Sequence, residues 1–446
     1  MYRLLRFQDE RLCVDVQAVA LLRSLPKKVT LVGVAGVARS GKSSLINLLL
    51  PEDTPSEELF CTGDSSESCT AGMWMSARPV TIGDHQVLLI DSEGLATGNT
   101  THHPGMLCVL SMICTVLMIN EMRQINVTSL TNLETLTAAR DMMRGDSGAH
   151  WPALCFVVRD HRLKLPEGLA GTTPESYDLE ERVLKPQSDR HDEVRQTIRE
   201  CFTLREMVTL TTPSDAELDA FPRLEEGKFK KSFTKLKEVL ESLLEAKSRD
   251  SCTFDGPMLA DLIENLVKDL NGAGVVDIPS LTQVVHEKRC QKECQFQFKT
   301  YETAMVLESG TQIPAAGLLS SLPGKAIDWT KIDETHQRES ELALDRYDQA
   351  IHSLKPDARE KFRKDLQKDM QHLLDGVKES ARQIHKARIQ AAERRDGEAL
   401  DEARDASDAT WAPSRCAPPP QGFAGLNRGS VRMVCEVVTD PPLEQG

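Results

Sequence analysis

The chain has 446 residues, enough for two or three folded units, and its 54 Lys+Arg against 68 Asp+Glu leave a net charge of −14. That balance argues against a general binder of nucleic acid, and an aromatic content of 4% argues against a stacking platform for single strands. The 12 cysteines contain no C-x-x-C pair, so neither a zinc ribbon nor a small disulfide framework is indicated, and reduced thiols in the cytoplasm are expected.

The opening MYRLLRFQDERL lacks the apolar centre of a signal peptide. The longest apolar run, Met106 to Ile119, falls short of the roughly 20 residues a membrane span requires. No transmembrane segment is expected, which leaves only peripheral contact with a membrane open.

From Val29 to about residue 210, Val/Ile/Leu-rich runs alternate with amphipathic stretches, the pattern of buried parallel strands joined by helices. The first strand, 29–36, runs into Gly36-Val37-Ala38-Arg39-Ser40-Gly41-Lys42-Ser43, a G-x-x-x-x-G-K-S phosphate loop. A helix, Ser44 to Leu50, follows it. Glycines there let backbone N–H groups curl around a β-phosphate, the lysine neutralises β/γ charge, and the hydroxyl of Ser43 suits Mg²⁺.

Next comes Ser68-Cys69-Thr70-Ala71-Gly72, a polar loop where a nucleotide switch needs a hydroxyl to complete the metal shell; viewed alone, an ordinary surface loop explains it equally well. The strand 85–91 ends in Asp91-Ser92-Glu93-Gly94, a D-x-x-G whose aspartate would support Mg²⁺ through water and whose Gly94 N–H would sense the γ-phosphate. A strand at 115–120 precedes another that ends in Val157-Val158-Arg159-Asp160. No N-K-x-D follows the D-x-x-G. A carboxylate at Asp160 can accept from guanine N1–H and N2–H₂, a donor pair adenine lacks, while the Arg159 plane covers the base.

Residues 161–200 turn polar and contain Pro166, Pro174 and Pro186, so a surface insertion with one or two helices is expected there. The strand 205–210 closes the series. Apolar positions 259, 262, 263, 266, 267 and 270 predict a helix after Asp255-Gly256-Pro257. From about 278 to 409 strand signals stop, and stripes at 344–354 and 362–384 predict long helices. The segment from Pro413 on has few means of forming a core.

In this order these elements resemble the guanylate-binding protein and atlastin family of large dynamin-like GTPases, whose guanine motif is R-D. GVARSGKSSLINLL, SESCTAGMWM, LLIDSEGLATGN, MINEMRQIN and LCFVVRD carry the likeness. It implies an α/β P-loop domain, Ras-like and enlarged, over 1–282; the helical stripes give an all-α domain over 283–412, and the composition from Pro413 on a disordered tail over 413–446. The likeness also implies Mg²⁺-dependent GTP hydrolysis and nucleotide-dependent homodimerisation of the GTPase heads. Carried over by residue, Arg39 matches an internal arginine finger, Ser68 a serine that positions the attacking water, and Glu93 the acid of the family's D-T-E-G. Ser43, Thr70 and Asp91 serve Mg²⁺. Gly36 to Ser44, Gly94, Arg159 and Asp160 hold the nucleotide.

Ala38, Cys69 and Ser92 depart from the family pattern, and Glu93 favours the guanylate-binding branch over the atlastins. A GTP-binding switch or scaffold with little turnover is the alternative, while an ATP-driven machine is disfavoured by Asp160.

The base reader has a direct test. Asp160→Asn should weaken guanine nucleotides and favour xanthine nucleotides, whose C2 carbonyl accepts from an amide where guanine's amino group needs an acceptor. Competition binding that leaves the variant's preference for GTP over XTP unchanged would remove Asp160 from that role.

Overall fold

The computed structural model describes residues 1–25, 28–62, 72–94, 103–145, 151–164, 172–215, 217, 227–250, 254–309, 328–352, 354 and 356–409. Ser68, Thr70 and the tail expected over 413–446 lie outside the described residues.

All five strands expected from the apolar runs are present, as β3 (Thr30–Gly36), β6 (His85–Ser92), β7 (Val116–Met122), β9 (Ala153–Arg159) and β10 (Arg205–Thr209). They pair in parallel, in the order β10-β9-β7-β3-β6. Strands buried on both faces need apolar residues at every position, which is why they read as unbroken runs. Four strands escape that reading: β1 (Tyr2–Gln8), β2 (Arg11–Val14), β4 (Met73–Met75) and β5 (Val80–Ile82). They extend one side of the sheet antiparallel to β6, to β4 or to each other. A further pair, β8 (Met143–Arg144) and β11 (Val276–Asp277), stands apart.

Alternation along β3 divides the core. Val32 and Val34 join Leu89, Met118 and Val157 beneath Phe229, Phe233, Leu236 and Leu240 of helix Lys228–Asp250. On the opposite face Gly33 gives room to helix His103–Ile113: a Cβ there would stand 2.8 Å from Cys114 Sγ and 3.1 Å from Leu110.

The segment 161–200 contributes more core than its charge predicts. Helix Asp192–Cys201 buries Val194, Ile198 and Cys201, and Leu179 and Val183 are buried ahead of it. Its polar character is absorbed internally, since buried Arg195 donates to Asp189 at 2.6 Å and to Asp192 at 2.7 Å. Charged side chains that pair with one another leave the apolar face free to turn inward.

Helix Gly256–Gly272 starts where expected, with the Asp255 carboxylate accepting from Met258 N–H at 2.8 Å. Helices Ile278–Ser309, Trp329–Ala350 and Pro356–Ala409 form the strand-free region. Tyr301, Ile332, Tyr347, Leu366 and Met370 are buried there. Met1–Val377 is one compact unit, and a second begins at Lys378. Among the described residues no helix is long and apolar enough to cross a membrane.

One buried carboxylate joins helix Gly256–Gly272 to helices Val16–Ser24 and Ile278–Ser309. Asp261 accepts from Arg23 at 3.2 Å, Lys288 at 2.7 Å and Lys292 at 2.9 Å. Burial pushes its carboxyl up, but the hydrogen bonds from Lys288 and Lys292 outweigh that and hold it below the ordinary carboxylate value. A depressed folded pKa gives stability that is present above the unfolded value, near pH 4, and is lost as pH falls through the folded one. Because the three cations are partly exposed, Asp261→Asn should cost about 1–2 kcal/mol at pH 7, with a smaller deficit in acid. Urea unfolding at pH 7 and pH 3 reads both values, and an equal deficit at the two would contradict the assignment.

Candidate nucleotide-binding site

The carboxyl ends of β3, β6, β7 and β9 meet at one edge, and the register puts the motif residues side by side. Val34 lies opposite Asp91 in the β3/β6 pair, Gly36 opposite Asn120 in β3/β7, and Met122 opposite Arg159 in β7/β9.

The phosphate loop turns on three left-handed residues, Gly36 at φ 145°, Arg39 at φ 60° and Gly41 at φ 77°. Its turn is held at the Val37 carbonyl, which accepts from Ser40 N–H at 3.3 Å, Ser40 Oγ at 2.8 Å and Lys42 Nζ at 3.1 Å. Lys42 is buried at the start of helix Lys42–Asn47. Burial lowers its pKa, and the carboxylates of Asp91 and Glu93 work against that shift. A desolvated lysine facing two carboxylates is an ammonium prepared for phosphate.

Ser43 Oγ donates to Asp91 Oδ2 at 2.6 Å, and Asp91 is only 1% exposed. Two hard oxygen donors at this separation fit Mg²⁺, which takes few protein ligands and completes its shell with water and phosphate oxygens. Among the described residues there is no cluster of three or more His, Cys, Asp or Glu side chains able to hold a metal.

The D-x-x-G turn touches the loop directly: a Cβ on Gly94 would stand 2.4 Å from Ala38 Cα and 2.6 Å from Ala38 N. Ser92 Oγ donates to the Val34 carbonyl at 2.7 Å, tying β6 to β3. Glu93 faces Gly72. Its N–H donates to Gly72 O at 2.7 Å, its Oε2 accepts from Gly72 N–H at 2.9 Å, and Oε1 stands 3.8 Å from Nε2 of buried His103.

Arg39 is exposed and makes no hydrogen bond or ion pair among the described residues. Its left-handed backbone is strained for an arginine, as residues at functional turns often are. Arg159 lies against the loop instead, donating from Nη1 to Gly41 O at 2.8 Å and Ser40 O at 3.1 Å; burial lowers its pKa and Asp160 opposes the shift. Asp160 follows at φ 53°, a conformation an aspartate tolerates, and His161 N–H fastens the turn to Leu210 O at 3.1 Å.

Two asparagines to which the motifs give no role make buried hydrogen bonds, one to the phosphate loop and one at the end of the helix that follows it. Asn120, buried at the end of β7, donates to Ser40 O at 2.8 Å and Ser40 Oγ at 2.7 Å. Asn47 exchanges two hydrogen bonds with the Phe60 backbone, 2.9 and 2.8 Å, and so ties the end of helix Lys42–Asn47 to that residue. The available signal is a buried-strand or helix position occupied by an amide, which propensity alone takes for a strand end or a cap.

Comparison with known proteins gives a family match over residues 9–252, described as "Guanylate-binding protein, N-terminal domain". Guanylate-binding protein 6 of Mus musculus is 25% identical over 234 residues, covering 47% of this chain and 37% of that protein. Guanylate-binding protein 1 of Mus musculus is 24% identical over 286 residues, 58% of this chain and 48% of the relative. Guanylate-binding protein 5 of Mus musculus is 24% identical over 308 residues, 62% and 50%. The chain thus spans half or less of these relatives' lengths. A solved structure of Toc33 from Arabidopsis thaliana aligns over 52% of this chain and 90% of that one, at 14% identity and a TM-score of 0.29, too low to bear on the fold.

The loop's first residue supplies the test of this geometry. A Cβ on Gly36 would stand 2.4 Å from the Asn120 carbonyl oxygen, a backbone atom that cannot step aside. Gly36→Ala should therefore cost roughly 2–4 kcal/mol of stability, from contact and left-handed strain together. A thermal midpoint equal to wild type would show that the β3/β7 approach is looser than described.

Proposed function

Because the chain belongs to the guanylate-binding protein family, we propose that this sheet edge binds GTP with Mg²⁺ and hydrolyses it to GDP and phosphate. The observation that supports the reading most strongly is the convergence of buried Lys42, the Ser43–Asp91 pair and Gly94 on one loop.

Ser43, Asp91 and Thr70 are the residues that would hold Mg²⁺, whose chemistry there is to neutralise charge between the β- and γ-phosphates. The loop N–H groups and Lys42 bind the β- and γ-phosphate oxygens, and Asp160 accepts from the guanine N1–H and N2–H₂. Ser68 positions a water that attacks the γ-phosphorus. The bond from phosphorus to the β,γ-bridging oxygen breaks, GDP leaves with that oxygen, and phosphate carries the water's oxygen and one of its protons while the other is released to solvent. Arg39 swings inward to meet the charge that grows on the bridging and γ oxygens.

In this reading residues 1–282 are the GTPase head and 283–412 a helical domain that relays head closure. Closure pairs two heads in a nucleotide-dependent homodimer of a cytoplasmic protein. A second reading, a nucleotide switch with little turnover, draws on Glu93, whose carboxylate is occupied by the Gly72 N–H and lies beside His103.

Arg39 separates the two. The loop and Lys42 hold the ground state without it, so Arg39→Ala should leave the GTP dissociation constant within about threefold. An arginine finger contributes about 10³ to 10⁵ in turnover, so kcat should fall well over tenfold. Wild-type specific activity should also rise with protein concentration. Turnover in Arg39→Ala equal to wild type would defeat the finger mechanism and leave the switch reading in its place.

A further inference from the structure

A phosphate cradle works only when the loop turns its N–H groups toward the ligand. In a trans peptide the C=O of one residue and the N–H of the next point in opposite directions within one plane. Fixing the Ser40 carbonyl outward therefore fixes the Gly41 N–H inward. Every carbonyl so turned needs a donor on the protein side, because a buried unpaired acceptor is costly.

The Ser40 carbonyl finds two donors, Asn120 Nδ2 at 2.8 Å and Arg159 Nη1 at 3.1 Å. The second N–H of the Asn120 amide goes to Ser40 Oγ at 2.7 Å, and that hydroxyl donates its O–H to Val37 O at 2.8 Å, the carbonyl that also accepts from Lys42 Nζ. One side chain thus sets a peptide plane and a hydroxyl, and the relay ends on the carbonyl that holds the phosphate lysine. The orientation of the amide is dictated by chemistry, since a carbonyl oxygen can face only its NH₂ end. Asn120 is wholly buried, and its Oδ1 has no hydrogen-bond partner among the described residues. As packing alone, an amide here is an unfavourable choice that an apolar residue of the same size would avoid.

We infer that Asn120 is a positioning residue of the nucleotide site: through the Ser40–Gly41 peptide it turns the Gly41 N–H into the cradle, with Arg159 as its second support. The inference rests on residues 36–43 being a nucleotide loop. Because it acts on the loop's backbone rather than on the γ-phosphate, it applies equally to GTP and GDP.

The test is calorimetric binding of GTP and of GDP to the full chain, with unfolding of the nucleotide-free protein followed in parallel. Asn120→Asp keeps the shape and sets an oxygen against the Ser40 carbonyl. It should weaken both nucleotides by about tenfold or more and by the same factor. Asn120→Ser, smaller and neutral, should do so less severely, and it carries the test if the aspartate variant does not fold. Lys42→Ala serves as the control for loss of the cradle. A lowered thermal midpoint with unchanged affinity in the folded variants would reduce Asn120 to a core residue and overturn the inference. A loss confined to GTP would also overturn it. Absence of nucleotide binding by wild type would instead overturn the reading of the loop, and the inference with it.

Discussion

The parallel register of β3 with its two neighbours is the constraint on which the site depends. β3 is flanked by β6 and β7, and its last residue, Gly36, is the phosphate loop's first. The pairing of Val34 with Asp91 brings the D-x-x-G carboxylate beside Ser43, and the pairing of Gly36 with Asn120 brings an amide beside Ser40. A slip of one residue in either pair would send the alternating side chains to the opposite face and separate these groups. The apolar faces of Val32 and Val34, pressed under Phe229 and Phe233, make such a slip costly. Hydrophobic packing thereby sets polar geometry several residues away.

Electrostatics then follows from burial. Lys42 and Asp91 are withdrawn from water and Arg159 is half-buried, and each is held by a partner of complementary character. Arg39 is the exception, exposed on a strained turn and engaged with nothing among the described residues. The finger role proposed for Arg39 requires a cation that engages a charge developing only late in the reaction.

Much of this was legible without coordinates. The five parallel strands announced themselves because burial on both faces leaves no polar alternation to confuse the reading. The phosphate loop and D-x-x-G were legible because their chemistry requires glycine and hydroxyl at fixed spacing. The antiparallel side was not, since β1 buries only the adjacent Leu4 and Leu5, set between Arg3 and Arg6 in a run that reads as mixed charge. The 161–200 segment misled for a related reason: composition reports charge, but not that Arg195 and its two aspartates neutralise one another locally. Asn120 was hidden because its role arises from a strand 80 residues away in sequence from the serine it holds.

The claim at the centre of this account is that the edge formed by β3, β6, β7 and β9 hydrolyses a guanine nucleotide. The most direct measurement is chromatographic separation of nucleotides after the chain is incubated with GTP and Mg²⁺, beside a parallel incubation with ATP. The account predicts that GTP is consumed with release of phosphate, that omission of Mg²⁺ stops the reaction, and that ATP is left intact. GTP recovered unchanged at every protein concentration, or ATP consumed as readily as GTP, would contradict it.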